Sequence, residues 1–379
     1  MTKEKNEINQ LVDFLKDVNK ENPPVIMDEI DDTVSFYADT GIYALNYQLT
    51  RKIKAGFPLG RIITIVGDST AGKTAMALQF ATIKDYNAIL YLQSNGEDAE
   101  KSMINKFTGI DQKKFIRKTI NTFEELKTTL EKTLVWNEQN DCKICIIVDS
   151  ITGLTNEDDE VTGYAGGRKA ALFKNILRTY ANKLKNINST LILISQFYLN
   201  LQAKQNQDPR IIGGGLAVKQ YSHLILELTP SKSDSDIVKG NVLGALSQAI
   251  KVKIIKSRYG TQYSELDYIF EPARGFSKLT GLFSLCEDLT IIVKQGRMYY
   301  IPTFFTKKKV DEFTVFADVD LDRDLGFYAK DFEDKLNENP ELIEILINII
   351  DKNFGDEKIF DINVLNKINE RKKKYGKGE

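Results

Sequence analysis

Short apolar runs recur between about residues 34 and 300, and longer amphipathic stretches separate them. Ile62–Val66, Ala88–Leu92, Lys143–Val148, Thr190–Ile194 and His223–Leu228 are such runs, several of them rich in Ile and Val. A compact run of that kind fits a strand covered on both faces. Between them, Thr74–Ile83, Glu97–Phe107, Thr122–Trp136 and Ala170–Lys185 carry helical periodicity. The alternation predicts an α/β fold, a mostly parallel twisted sheet flanked by helices. Gln248–Lys256 and Leu266–Phe270 predict two later strands at an antiparallel edge.

The flanks differ from this middle. Ile8, Leu11, Phe14, Leu15 and Val18 have the spacing of a short helix, and Asn22-Pro23-Pro24 stops it. Residues 1–33 therefore read as an N-terminal helical arm, packed on its own chain or on a neighbouring subunit. Residues 34–305 form the core. Residues 306–379 form a small helical lobe, with helices at Phe332–Phe354 and Val364–Lys374 and a basic tail at Arg371–Lys377. The tail reads as a solvated end that can touch duplex DNA. Trp136, at the end of its amphipathic stretch, is expected in the core.

Charge narrows the class only slightly. The 52 Lys+Arg balance 53 Asp+Glu, which excludes a histone-like polycation but not a local basic groove. Ile144–Val148 ends at Asp149 and Leu346–Ile350 is flanked by Glu344 and Asp351, so neither apolar run suits a membrane span. The first residues carry no apolar core of a signal peptide. A cytoplasmic protein is expected. Cys142 and Cys145 make a lone Cys-x-x-Cys without a second pair, and His223 is the only histidine. That pattern is read as structural, with His223 a packing residue at a strand start.

Gly67-Asp68-Ser69-Thr70-Ala71-Gly72-Lys73-Thr74 matches G-x-x-x-x-G-K-[ST] between a strand and a helix. Its glycines let backbone N–H groups wrap phosphates at a helix start, where the dipole adds to the attraction. Lys73 is expected on the β- and γ-phosphates and the Thr74 hydroxyl on Mg²⁺. The apolar run Lys143–Val148 ends in Asp149, the form of a strand that sets a carboxylate against the Mg²⁺ shell. These residues predict a nucleotidase, with ATP as the expected nucleotide.

Three further features follow in order: Ser195-Gln196 after the strand Thr190–Ile194, the run Gly213-Gly214-Gly215, and Lys256-Ser257-Arg258 after a late strand. With the phosphate loop and Asp149, they make the chain resemble the RecA recombinase family over roughly residues 34–305, and within it the UvsX-type phage recombinases. Gln196 stands at a strand end where an amide can hydrogen-bond the γ-phosphate or its attacking water. The resemblance makes it the sensor that couples ATP to the following DNA loop. Lys256 and Arg258 project to one side if their segment is extended, which suits a polyphosphate. The resemblance implies that this pair reaches across to the neighbouring copy's ATP. The family's water-activating glutamate follows the strand after the phosphate-loop helix. Counting back from Gly109-Ile110-Asp111 selects Glu97, with an insertion at Asn95-Gly96. Counting forward from Ala88–Leu92 selects Asn95, which can position water but is no base.

Residues 155–169 and 197–215 are long, polar and glycine-rich, and both follow strands that carry nucleotide ligands. In the resemblance they are the two loops that hold single-stranded DNA. Arg168, Lys169 and Arg210 suit phosphates, Gly213, Gly214 and Gly215 offer backbone N–H groups, and Phe197, Tyr198 and Tyr164 suit base stacking. The implied function is ATP-dependent homologous recombination by a helical filament of copies on single-stranded DNA that pairs with homologous duplex DNA. Single-strand-binding and mediator proteins are expected as partners. A ring-forming helicase on the same core and a non-hydrolysing mediator are the alternatives.

Overall fold

The computed structural model describes residues 10–15, 37–94, 104–105, 107, 109–156, 166–199, 209–230, 237–240, 244–259, 262–271, 274–302, 314–316, 318–321, 324–355 and 361–375. Contacts divide the chain into two units, Met1–Tyr37 and Ala38–Glu379. In the first, residues 10–15 are helical, with Leu11 and Phe14 exposed.

The second unit opens with helix α1 (Tyr43–Thr50), then β1 (Ile62–Gly67), α2 (Lys73–Ala81), β2 (Ala88–Gln93), β3 (Phe115–Thr119), α3 (Phe123–Asn140), β4 (Ile144–Asp149), α4 (Gly166–Asn186) and β5 (Thr190–Ser195). A hairpin of β6 (Phe197–Leu199) and β7 (Arg210–Ile212) leads into α5 (Gly215–Tyr221). There follow β8 (Leu224–Pro230), β9 (Ile237–Gly240), β10 (Gly244–Ser257), β11 (Glu265–Glu271) and β12 (Gly275–Phe276). Among the described residues, one ten-stranded sheet has the order β12-β11-β10-β8-β1-β5-β4-β2-β3, with β9 joined to β10.

The six strands from β8 to β3 are parallel, and β10 to β12 run antiparallel at the other side. Strands β1, β4 and β5 are buried throughout, which is why they read as continuous apolar runs. One buried cluster lies on each face of the sheet. Edge strand β3 escapes that pattern. Its Ile116, Arg117, Lys118 and Thr119 are exposed, and such charge blunts an edge against further pairing. Helix α3 starts at a capping box, where Thr122 and Glu125 satisfy each other's backbone N–H groups. Trp136 is 49% exposed on α3, so the expected core position is corrected: the helix buries Leu126, Leu130 and Leu134 instead.

The expected helix 332–354 is two helices, α7 (Phe332–Glu338) and α8 (Pro340–Phe354), after α6 (Leu282–Asp288) and a small sheet of β13 (Val293–Gln295), β14 (Met298–Ile301) and β15 (Leu325–Phe327). Pro340 excludes the helical region for Asn339, whose φ and ψ are −131° and 73°. Leu346, Ile347, Ile350 and Phe354 bury in the same cluster as the sheet face, and Tyr47 donates to the Phe354 carbonyl at 2.7 Å. The last helix, α9 (Ile362–Tyr375), tucks Arg371 in at 5% exposure and pairs Lys372 with Asp288 and Lys374 with Asp318. This part of the basic tail is engaged with its own chain rather than fully solvated. No described helix is long and apolar enough to cross a membrane.

Register fixes the ends of the sheet. Leu228 on β8 lies opposite Gly67 at the end of β1, whereas Leu224 lies opposite Ile63. Strand β10 is antiparallel to β8 and pairs Ile250 with Pro230 and Ser257 with Leu224. The start of the phosphate loop and the Lys256–Arg258 segment therefore stand at opposite ends.

Candidate nucleotide and nucleic-acid sites

The loop Gly67–Thr74 turns from β1 into α2 at the carboxyl end of the sheet, where open α/β sheets bind ligands. Gly72 caps α2 at φ +81°, a left-handed conformation, and an added Cβ would come within 2.7 Å of Ile250 Cδ1. The left-handed backbone strains any side chain there, and the Ile250 methyl would also have to shift. Thr70 also has a positive φ, 66°. Lys73 is 8% exposed, and its ammonium donates to the Asp68 carbonyl at 2.7 Å, folded over the loop.

Asp149 ends β4 at 2% exposure. Its Oδ2 accepts the Thr74 hydroxyl at 2.7 Å and the Tyr91 hydroxyl at 2.7 Å. Its Oδ1 is buried and accepts no hydrogen bond among the described residues. A buried carboxylate oxygen left open beside a threonine hydroxyl fits the oxygen-rich shell that Mg²⁺ prefers. Thr74 and Asp149, the two residues expected at the metal, are thus in direct contact. Tyr91 was not anticipated. It lies inside an apolar run, and nothing in that run marks its hydroxyl as the one that reaches across to β4.

Ser94, just after β2, donates its N–H to the Asp149 carbonyl at 2.8 Å, and its hydroxyl accepts from Ser150 N at 3.0 Å. Ser94 is thus tied to the strand end that carries Asp149. Asn95 and Glu97 lie outside the described residues.

Gln196 follows β5 and is half-buried, and its carbonyl accepts from Gly213 N at 2.9 Å. Gly213 is seated against the strand end: an added Cβ would come within 2.6 Å of Ser195 Oγ and of Thr152 Cγ2. Ser195 Oγ donates to the Gly213 carbonyl at 3.0 Å. The glycine run therefore rests on the ends of β4 and β5, and Gly214 then caps α5 at φ +82°.

Where they are described, at 166–169, 197–199 and 209–215, the two segments expected to hold DNA have more regular structure than loops. Gly166 already begins α4, so Arg168 and Lys169 lie on a helix; the Arg168 side chain lies outside the described residues, as does Tyr164. Lys169 donates to the Leu154 carbonyl and stands 5.4 Å from the Phe123 ring. In the second segment, Phe197, Tyr198 and Leu199 pair with Ile212, Ile211 and Arg210. Tyr198 is 51% exposed. Arg210 is ion-paired with Glu227 and lies 4.8 Å over the Phe197 ring. The segments meet: a cleft of about 500 Å³ is lined by Thr152, Lys169, Phe173, Tyr198, Gly215 and Leu216.

Lys256 and Arg258 do point the same way. Lys256 Nζ donates to the carbonyls of Lys219 at 2.6 Å and Gln220 at 3.2 Å, and Arg258 donates to Gln220 at 3.2 Å. Two cations thus sit on the last carbonyls of α5, where the helix dipole favours them. Burial, followed by the neighbouring Arg258, lowers the Lys256 pKa. His223 stacks on Tyr259 with ring centroids 6.3 Å apart. Burial pushes its pKa down to about 3, helped by Arg258, Arg61, Lys256 and Lys185. The ring is a neutral packing group inside a cationic cluster.

Comparison with known proteins follows the same outline. Residues 22–276 match the family model of the RecA N-terminal domain. Protein RecA of Mycoplasma mobile is 27% identical over 305 residues, covering 77% of this chain and 85% of that protein. Protein RecA of Ehrlichia chaffeensis is 28% identical over 250 residues, 64% of this chain and 66% of its own length. Protein RecA of Francisella tularensis subsp. novicida is 29% identical over 274 residues, 69% of this chain and 70% of its own.

Proposed function

The chain belongs to the RecA family, and on that premise we propose that it is an ATP-dependent homologous-recombination protein. It coats single-stranded DNA as a helical filament, pairs that strand with a homologous duplex, and hydrolyses ATP to turn over. The UvsX-type phage recombinases remain the branch its motif order suggests.

The observation that carries this reading is the separation of phosphate loop and basic pair. Ser257 is aligned through Leu224 with Ile63, four residues before Gly67, or about 13 Å along the strand. Lys256 aligns through Ile225 with Thr64, three residues before Gly67, and its ammonium is held on the carbonyls of α5. The pair does not reach its own chain's phosphates. A second copy, stacked head to tail, can offer the pair to the first copy's nucleotide. Head-to-tail contacts that do not close on themselves generate helical filaments.

Within one such junction the roles follow from chemistry. The N–H groups of Gly67–Thr74 cradle the phosphates, and Lys73 exchanges the Asp68 carbonyl for the β- and γ-phosphate oxygens. Thr74 and Asp149 hold Mg²⁺, which neutralises phosphate charge. Glu97 orients or deprotonates the attacking water. Lys256 and Arg258 of the adjoining copy stabilise the charge that develops at the γ-phosphate. Gln196 senses that phosphate, and its backbone bond to Gly213 passes the signal to 197–215. Arg168, Lys169 and Arg210 meet DNA phosphates while Phe197 and Tyr198 meet bases.

Electron microscopy with ATP and single-stranded DNA tests this reading. Helical filaments and a hydrolysis rate that rises with DNA are expected. Closed rings that unwind forked duplex would overturn it, and a Lys73→Ala variant with full activity would move the function to a non-hydrolysing scaffold.

A further inference from the structure

The ion pair between Arg210 and Glu227 joins two parts of the molecule that do different work. Arg210 belongs to β7, one stem of the hairpin read as a DNA loop. Glu227 belongs to β8 in the central sheet, opposite Val66 and one residue before Leu228, which faces Gly67. The Glu227 side chain is 8% accessible and the Arg210 side chain 42%. Glu227 is thus a fixed group in the sheet, and Arg210 is the accessible partner that can leave.

A guanidinium binds a carboxylate and a phosphate with the same planar fork. While Arg210 is paired with Glu227 its charge is neutralised within the chain, and it adds nothing to the attraction for a nucleic-acid backbone. The competing carboxylate is intramolecular, so it acts at a high effective concentration.

Removing the arginine would normally strand a buried carboxylate, which is strongly unfavourable. Here a second cation stands ready. Lys253 on β10 lies directly opposite Glu227 across the β8–β10 ladder. Opposed residues share one face of the sheet, with Cβ atoms about 5 Å apart. Lys253 is half-buried; the carboxylate on its other side, Glu265 of β11, is already paired with Lys251, and Lys253 makes no ion pair among the described residues. The carboxylate can therefore change partners.

We propose that Glu227 is an internal stand-in for a DNA phosphate. It holds Arg210 in the protomer without DNA and gives it up to the backbone of single-stranded DNA, while Lys253 takes over the carboxylate. The contact restrains DNA binding until the hairpin is pulled toward the strand. The hairpin is also the element tied to Gln196, through Gly213 N and through the Phe197 ring under Arg210. This inference rests on the reading of 197–215 as a DNA-binding segment.

A double-mutant cycle on the full chain tests it. Binding of a fluorescent oligothymidylate is measured across a salt series, with a non-hydrolysable ATP analogue present. Glu227→Gln should tighten binding roughly tenfold, the worth of one charge-assisted contact. Arg210→Ala should weaken binding and lower the salt slope by about one. Adding Glu227→Gln to Arg210→Ala should produce no gain. Lys253→Gln, a change at a half-buried surface position, should weaken binding in the wild-type background and leave the Arg210→Ala value unchanged. The proposal is overturned if Glu227→Gln weakens binding as Arg210→Ala does, which would make the pair a structural clamp. It is equally overturned if the gain persists without Arg210, which would make it a long-range charge effect. Should Glu227→Gln fail to fold, an unaltered affinity in Lys253→Gln overturns it alone. A wild-type chain that binds no oligonucleotide at any salt would sink the DNA reading itself. Wild-type binding with no gain in Glu227→Gln sinks only the internal stand-in.

Discussion

Tyr91→Phe deletes one hydroxyl at Asp149, the proposed metal carboxylate, and keeps the ring. The ring is 1% exposed and stacks on Phe115 with centroids 5.8 Å apart, so packing survives the change. The hydroxyl donates to Asp149 Oδ2, the oxygen that Thr74 also occupies, and Oδ1 is left with no donor among the described residues. Two donors on one oxygen fix the carboxylate plane and leave the other oxygen open for the proposed Mg²⁺. A hydrogen bond to a charged group contributes about 1.5–3 kcal/mol, equivalent to about ten- to a hundredfold in an equilibrium constant. Loss of a group that orients a metal ligand commonly weakens metal affinity by about 10–100-fold, the same range. ATP hydrolysis titrated with Mg²⁺ measures the effect directly, with thermal unfolding followed by circular dichroism as the folding control. Half-saturating Mg²⁺ should rise at least about tenfold while the folded state persists. An unchanged Mg²⁺ requirement in a folded variant would refute the idea that Tyr91 orients Asp149.

Gly213→Ala puts a methyl group within 2.6 Å of Ser195 Oγ and Thr152 Cγ2. The crowding costs about 1–3 kcal/mol and lifts the hairpin from the strand ends, so ATP binding should persist while DNA stimulation of hydrolysis falls; full stimulation would contradict the coupling through Gly213. His223 titrates near 6.5 in an unfolded chain but only at about 3 in the fold. The unfolded state therefore binds more protons between those values, and stability falls as pH drops through that window. The contribution is at most about 1.4 kcal/mol per pH unit, reduced by solvent screening at this partly exposed ring. Urea midpoints of wild type and His223→Gln should diverge as pH falls below 6.5, with wild type losing more; parallel profiles would contradict it.

The parts of the fold that were legible in the sequence are those whose pattern is set by burial. Strands β1, β4 and β5 are covered on both faces and appear as unbroken apolar runs. Strand β3 was not legible, because an edge strand with four exposed residues has no burial pattern to impose. The hairpin β6–β7 reads only as a loop in the sequence, since its Tyr198, Leu199 and Ile211 are exposed and impose no burial pattern. At the nucleotide site the glycine-lysine-threonine spacing and the strand ending in Asp149 are local signals. The Tyr91 hydroxyl and the Glu227 carboxylate are contacts across strands. Glu227 alone left a trace, a charge within the apolar run His223–Leu228, a place where a buried carboxylate requires a partner. Trp136 was misjudged because apolar spacing sets the helix face only to within a residue or so, and Trp136 lies just outside it.

The central claim is that each ATP is clasped by two copies, and complementation tests it most directly. Lys73→Ala damages only the phosphate-loop half of a junction, and the double variant Lys256→Ala/Arg258→Ala damages only the other half. Each should hydrolyse ATP poorly alone on single-stranded DNA. In an equal mixture about one junction in four joins two intact halves, so hydrolysis should return to about a quarter of the wild-type rate. A mixture no more active than its components would mean that a single copy supplies every contact to its nucleotide, and the shared junction would have to be abandoned.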